Sequence, residues 1–257
     1  MSMEHTIRPT GRQGGIGNGS EGIRHIRKWK NWTEPLIFLM LSLLTVTFVY
    51  PFVFLIINAL KTRTEYAVSP FSLPKVPSFE NLWIMLDQFD ILLMFRNTLI
   101  VTISSVLMLL VFGIFASYAF AKLQFPMKKT LYLIFITTMF IPGQVTMIPA
   151  YVQFARLGLV NNFLSVILTY AAGSMPGALL LLVSNFRGIS GELIESATLD
   201  GCGYFQMIAR IVVPLGYPAI AILIIFQFMG FWNDLFTPMI LLQKMDMRTV
   251  MVALSAL

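Results

Sequence analysis

Acidic and turn-forming residues are concentrated in one segment, residues 192–214, which reads ELIESATLDGCGYFQMIARIVVP. It carries carboxylates on Glu192, Glu195 and Asp200 against a single cation on Arg210. Carboxylates exposed on a helix can form charge-assisted hydrogen bonds with a basic surface of a partner protein. A helix that lies on anionic lipid would instead carry Lys and Arg on its polar face. The acidic excess therefore favours a protein partner over a lipid surface.

The pattern of this segment predicts two short helices joined by a turn. Ser190 can cap the first helix, and Gly201 and Gly203 fall where a positive φ costs glycine little. The apolar positions at helical spacing are Leu193, Ile194 and Ala197 in the first helix, then Tyr204, Ile208 and Ile211 or Val212 in the second. We therefore predict an amphipathic hairpin docked at a membrane surface.

The remainder of the chain is strongly apolar, with 57% hydrophobic residues, 12% charged residues and a mean hydropathy of +0.77. Such a composition indicates an integral membrane protein. Five runs contain no Asp, Glu, Lys, Arg or His, and each is long enough to cross a bilayer as a helix. These runs are residues 36–60, 98–121, 131–150, 163–186 and 211–232. The predicted fold is an all-α, polytopic transmembrane helix bundle with five complete spans.

These spans contain no titratable group that could perform catalysis or bind a coupling ion. His5 and His25 precede the first span, and Cys202 is the single cysteine. This excludes a His-ligated metal at membrane depth, a disulfide and a cysteine cluster. The embedded serines lack a base, and we interpret them as packing residues: Ser104, Ser105, Ser117 and Ser174. We expect no catalytic residue, metal or cofactor in this chain, so any transport must be driven from outside it.

Basic residues near the span ends predict the orientation in the membrane, because Lys and Arg are retained on the cytoplasmic side. The cations assigned to that side are Arg24, Arg27, Lys28, Lys30, Lys122, Lys128, Lys129, Arg187 and Arg210. The N-terminus is therefore predicted to be cytoplasmic, with residues 1–34 as a flexible basic tail. The net charge of +6 favours membrane lipid over nucleic acid as its counterpart, because these cations lie beside span ends. Residues 17–22, GNGSEG, match a dinucleotide fingerprint only formally, since nothing strand-like precedes them.

The acidic segment resembles the signature loop of binding-protein-dependent ABC transporter permeases. That loop reads E-A-A, three residues, G, nine residues, then I-x-L-P, and here Glu195, Ser196 and Ala197 are followed at the same spacing by Gly201 and by residues 211–214, IVVP. Ser196 and Val213 depart conservatively from Ala and Leu. Ser190 stands where relatives of the sugar type usually have Pro.

Further stretches resemble landmarks of the maltose-type, carbohydrate-uptake members of that family. They are RNTLIVT from Arg96, YAFAKLQFP from Tyr118, IPGQVTMIPAY from Ile141, LGLVNN from Leu157 and FWNDLF from Phe231. The resemblance implies a multi-pass subunit of the bacterial cell membrane that imports sugars or oligosaccharides. It also implies a second homologous permease, two ATPase subunits that bind the ATP, and an extracytoplasmic solute-binding protein.

The resemblance assigns residues 35–257 to one permease domain, with an ATPase-coupling loop at about 187–214. In that loop Glu195 would meet a basic groove of the ATPase and Gly201 would form the tight turn. The other coupling positions are Ser196, Ala197, Asp200 and Pro214. Asp200 has the weaker claim, because acidic residues before glycine are common turn formers.

Polar residues near helix breakers give a candidate substrate pathway. Pro142 and Gly143 interrupt the third span, and glycines recur over 173–177 in the fourth. Such breaks line cavities in some transporters, although a plain kink is the simpler interpretation. The polar residues that could bind sugar hydroxyls are Gln144, Thr146, Tyr170, Ser174 and Gln227.

Three alternatives and one irregularity remain at this point. The chain could serve another ABC substrate class, such as amino acids, peptides or polyols. It could be a membrane-embedded enzyme that uses Gln144 and Ser174, or a scaffold with the acidic hairpin as its docking site. The final apolar run, 249–257, would cover only about 14 Å as a helix, under half a bilayer. We therefore expect the family's sixth span to be missing from this chain, and transport to be defective without it.

Overall fold

The structure, a computed structural model, describes residues 19–88 and 90–255, and over these residues it is helical without a strand. The helices are α1 (Gly19–Ala59), α2 (Arg63–Val68), α3 (Glu80–Gln88), α4 (Ile91–Lys122), α5 (Lys128–Thr137), α6 (Gly143–Arg156), α7 (Phe163–Arg187), α8 (Gly191–Leu199), α9 (Tyr204–Met207), α10 (Val213–Asn233), α11 (Phe236–Leu241) and α12 (Val250–Leu254). Residues 1–18 of the predicted basic tail lie outside the described residues. From Gly19 onward, that tail overlaps α1.

Four of the described helical segments are long and apolar enough to cross a membrane, and a fifth candidate is a bent pair. The four are Thr33–Ala59, Ile91–Lys122, Phe163–Arg187 and Tyr204–Asn233. The bent pair joins Lys128–Phe140 to Gly143–Arg156 at an angle of 102°. The predicted all-α polytopic fold is confirmed, but the prediction of one continuous third span over 131–150 is wrong.

Proline chemistry explains the break in the third span. Ile141 has an extended backbone, with φ −86° and ψ 116°, as expected of a residue that precedes proline. Pro142 has no N–H to continue the helix, and α6 begins at the next residue. The glycines over 173–177 do not interrupt the fourth span, because α7 continues through Pro176. Ala171, Ala178 and Leu179 on this helix are buried, and such packing outweighs the low helix propensity of glycine and proline.

The core of the unit formed by residues 84–257 lies where α4, α7 and α10 meet. Small side chains allow close approach there: a Cβ on Gly113 would lie 3.5 Å from Ala178 Cβ. The Ser105 hydroxyl donates to Val101 O at 2.6 Å, which satisfies a buried polar group inside its own helix. Lys122 Nζ donates to the carbonyls of Arg187 and Ile189. The C-terminal ends of α4 and α7 therefore lie at the same end of the bundle.

The first turns of α4 bind the segment that follows α11. Asn97, fully buried, donates from Nδ2 to Asp246 O at 2.8 Å and to Arg248 O at 3.1 Å. Thr98 Oγ1 accepts from Val250 N at 3.0 Å. The final apolar run thus begins as the short helix α12, whose Val250 packs in one cluster with Met94. These contacts give the RNTLIVT landmark a structural role.

In the unit formed by the residues up to Trp83, side-chain hydrogen bonds stabilise the turns that follow α1. The buried Lys61 ammonium donates to Ser69 O and Pro70 O, both at 2.9 Å. Asn81 Nδ2 donates to Lys61 O at 2.7 Å. These bonds replace the water that the buried groups have lost, as a buried cation requires.

Candidate functional site

The acidic segment folds into the predicted hairpin, with α8 and α9 joined by a turn. Gly201 has φ +83°, and its N–H bonds Thr198 O while Cys202 N–H bonds Ala197 O, both at 3.0 Å. This pair of bonds is a Schellman closure, in which glycine takes the left-handed position. The turn prediction for Gly201 is confirmed. Gly203 has φ −74°, so its predicted positive φ is wrong.

Two further local predictions are corrected by the structure. Ser190 occupies the N-cap position of α8, but its side chain makes no cap hydrogen bond there. Tyr204 is 68% exposed, so it does not belong to the apolar stripe. The second helix instead packs through Met207, Ile208 and Val212. A π-helical turn over Ile208–Val212 changes the helical register, which a regular spacing could not predict.

The outer surface of the hairpin combines carboxylates with large exposed apolar side chains. Glu195 and Asp200 are exposed, while Ala197 is buried against the bundle. Leu199 is 89% exposed and Phe205 76% exposed. Sequence reasoning missed these two residues, although Leu199 lies four positions after Glu195 and therefore on the same helix face. A surface of mixed acidic and apolar character suits a protein partner better than water alone.

Two further coupling positions, Ser196 and Pro214, lie beside that surface. Ser196 Oγ donates within α8, to Leu193 O at 3.1 Å. Pro214 is exposed in the first turn of α10, where a missing N–H costs least. Glu192 is exposed in the first turn of α8, where its charge complements the helix dipole.

Four of the five predicted pathway residues line one cavity of about 660 Å³ between α6, α7 and α10. These four are Thr146, Tyr170, Ser174 and Gln227. Gln144 does not line it. The structure therefore brings together residues from three helices that the sequence could only name separately.

Asp234 adds a carboxylate to this cavity that sequence reasoning did not assign. Tyr170 Oη donates to Asp234 Oδ2 at 2.9 Å, and the Tyr170 ring stacks on Phe231 with centroids 4.5 Å apart and planes 4° apart. Asp234 Oδ1 also accepts from Phe236 N at 3.0 Å. Asp234 follows the last residue of α10 and lines the same cavity as Ser174. Asp234 belongs to the FWNDLF stretch that begins at Phe231, so the resemblance already included this residue.

The cavity offers hydrogen-bonding groups beside aromatic side chains. Gln227 and Thr146 provide neutral donors and acceptors, and the Tyr170–Phe231 stack provides a rigid aromatic wall. Pockets that join aromatic side chains to a few placed polar groups are typical small-molecule sites. Within the described part of the chain, no three His, Cys, Asp or Glu side chains come together as a metal site.

Comparison with known proteins identifies relatives that cover most of this chain. The family model described as "Binding-protein-dependent transport system inner membrane component" matches residues 110–256. The diacetylchitobiose uptake permease NgcG of Streptomyces coelicolor is 29% identical over 80% of this chain and 68% of its own length. The probable starch degradation products permease AmyC of Thermoanaerobacterium thermosulfurigenes is 30% identical over 82% of this chain and 76% of its own length. The osmoprotective compounds permease GgtD of Synechocystis is 34% identical over 63% of this chain and 55% of its own length.

Proposed function

Because the chain belongs to the family of inner membrane components of binding-protein-dependent transport systems, we propose that it is a permease subunit of an ATP-driven importer of sugars or oligosaccharides. The exposed acidic and apolar hairpin around Glu195 carries this proposal, since it is a surface suited to a protein partner. The sugar class is supported by relatives named for diacetylchitobiose and for starch degradation products. Its partners are a second permease, two ATPase subunits and an extracytoplasmic solute-binding protein.

We place the N-terminus and the hairpin on the cytoplasmic side of a bacterial cell membrane. Support comes from the cations at the hairpin end of the bundle, which include Lys122, Lys128 and Arg187. ATP closes the ATPase pair, and the hairpin moves with the ATPase against which it is seated. The second hairpin helix continues through the π-helical turn into α10. Motion of the hairpin is thereby transmitted to a membrane-spanning helix.

The cavity lined by Tyr170, Gln227 and Asp234 is our candidate for part of the substrate pathway. Sugar hydroxyls would exchange hydrogen bonds with the Gln227 amide and the Thr146 hydroxyl. Asp234 and Tyr170 hold each other in place, so the wall of the cavity is ordered before substrate arrives.

Replacement of Gln227 by Leu should raise the KM for sugar uptake about two- to tenfold, since one hydrogen bond is worth about 0.5–1.5 kcal/mol. Gln144→Leu is the matched control, because Gln144 lies outside the cavity and should leave the KM unchanged. The measurement is initial uptake of labelled oligosaccharide by cells that express the complete transporter. Equal KM changes in both variants would remove this cavity from the pathway.

The proposed function is tested by assembly and by stimulated ATP hydrolysis. The chain is co-expressed with an ATPase and a second permease from the same source, purified, and reconstituted with the solute-binding protein. We expect a stable complex whose ATP hydrolysis rises several-fold with the sugar-loaded binding protein. Stimulation by an osmoprotective compound, the substrate class in the name of one relative, would replace sugars as the substrate class. Failure of the chain to associate with any ATPase would refute the proposal.

A further inference from the structure

A second cavity, of about 770 Å³, lies at the hairpin end of the bundle, where α4 ends and α5 begins. Three cationic residues line it, Lys128, Lys129 and Arg187, together with the aromatic rings of Phe120, Phe125 and Tyr132. None of its lining residues, all within the described part of the chain, is acidic. The site thus joins concentrated positive charge to an apolar wall.

The cations are held in place by contacts to neighbouring groups. Lys128 Nζ donates to Leu123 O at 2.6 Å, and the Arg187 guanidinium lies 5.7 Å from the centre of the Tyr132 ring. Arg187 Cζ over an aromatic face is a cation–π arrangement. Lys122 donates to Arg187 O and so fixes the end of α7. Lys128 and Arg187 line the same cavity, and an anion between two such cations would relieve their mutual repulsion.

The position of the cavity indicates which anion fits. It lies at the ends of two membrane-crossing helices, Ile91–Lys122 and Phe163–Arg187, where lipid headgroups meet the hydrocarbon layer. Exposed Met127 and Leu133 line the same cavity beside the cations. A free phosphate would leave that apolar wall in water, whereas a phospholipid would cover it with an acyl chain.

We propose that this cavity binds the phosphate headgroup of an anionic phospholipid, with Lys128, Lys129 and Arg187 as its ligands. Basic pockets between membrane helices bind such headgroups through charge, and each cation contributes attraction. The lipid covers the aromatic wall and neutralises the cluster at the root of the hairpin. On the orientation proposed above, it belongs to the inner leaflet. The binding itself requires no ATPase and no sugar.

The first test measures lipid retention by the full chain without any substitution. The purified chain is exchanged into mixed micelles with equal phosphatidylglycerol and phosphatidylcholine, and bound lipid is counted by native mass spectrometry. We expect phosphatidylglycerol to be retained at least fivefold over phosphatidylcholine. Equal retention would overturn the proposal. Displacement of phosphatidylglycerol by millimolar inorganic phosphate alone would also overturn it, since it would show that the phosphate charge suffices for binding and that the acyl chain contributes nothing.

The second test removes charge from the cavity. Lys129→Gln and Arg187→Gln should each weaken phosphatidylglycerol retention about fivefold, the effect of one cation near a membrane surface. Lys244→Gln is the matched control, because Lys244 is exposed and does not line this cavity. Circular dichroism and size-exclusion profiles must match the unsubstituted chain. Unchanged phosphatidylglycerol retention in a folded variant that carries both Lys129→Gln and Arg187→Gln would place the lipid elsewhere and refute the site.

Discussion

Sugar uptake should fall at least tenfold when Gly201 is replaced by Asp, while the protein still reaches the membrane. Gly201 holds φ +83° in the Schellman turn, and a side chain in this left-handed region costs about 1–2 kcal/mol. The added carboxylate also increases the negative charge beside Asp200. Glu195→Lys should have a comparable effect, because reversing a charge that meets a basic groove costs about 2–5 kcal/mol. Uptake and binding-protein-stimulated ATP hydrolysis of the assembled transporter provide the measurement.

The hairpin itself supplies the control for this experiment. Gly203 has φ −74°, and no atom lies within 4 Å of a Cβ built on it. Gly203→Ala should therefore retain uptake, whereas Gly201→Ala should already reduce it. Comparison of Gly201→Ala with Gly203→Ala then separates the effect of backbone conformation from the effect of adding a methyl group. Full stimulation of the ATPase in Glu195→Lys would show that this carboxylate does not meet the ATPase.

Gly216→Ala is expected to destabilise the bundle by about 1–3 kcal/mol, the usual cost of overpacking a well-filled core. A Cβ on Gly216 would lie 2.5 Å from Phe186 Cε1 and 3.4 Å from Asn185 Oδ1. Phe186 is fully buried, so its ring cannot swing away into solvent. The loss of stability is measured as a lower midpoint of thermal unfolding in detergent. Unfolding is monitored by the reaction of Cys202 with a thiol dye.

A matched glycine and a compensating change make this second prediction specific. Gly177→Ala adds the same methyl group to α7, where nothing lies within 4 Å of the new Cβ, and should not lower the midpoint. Phe186→Leu removes the ring edge that Gly216→Ala would strike. The double variant should recover part of the lost stability, which a double-mutant cycle would report as favourable coupling. Additive losses would mean that the two residues do not clash.

Local rules predicted those features that depend on a few neighbouring residues. The turn at Gly201 and the number of apolar segments follow from residue type and run length. The break at Pro142 was visible as a pair of helix breakers, but its angle of 102° depends on packing. The glycines over 173–177 do not interrupt α7, which packs in the core around Ala178. Propensity is weaker than packing in a buried helix.

The candidate cavity could be predicted only in part, because its parts come from distant positions. Tyr170 and Asp234 are 64 residues apart in the chain, and no pattern in the sequence connects them. Gln144 was predicted from its polarity alone, and it does not line the cavity. Polarity does not determine which way a side chain faces on a helix. The sequence predicted the carboxylates of the hairpin surface, but it did not predict the exposed Leu199 beside them. Helical phase relative to Glu195 would have identified it.

The hydrogen bonds of Asn97 have a consequence for the order of biosynthesis. Asn97 and Asp246 are 149 residues apart, so this bond cannot form until every intervening helix has been synthesised. Until then the Asn97 amide lacks these two acceptors, and an unsatisfied polar group is costly in a lipid environment. The hydrogen bonds from Asn97 to Asp246 and Arg248 therefore form late in the folding of the unit of residues 84–257.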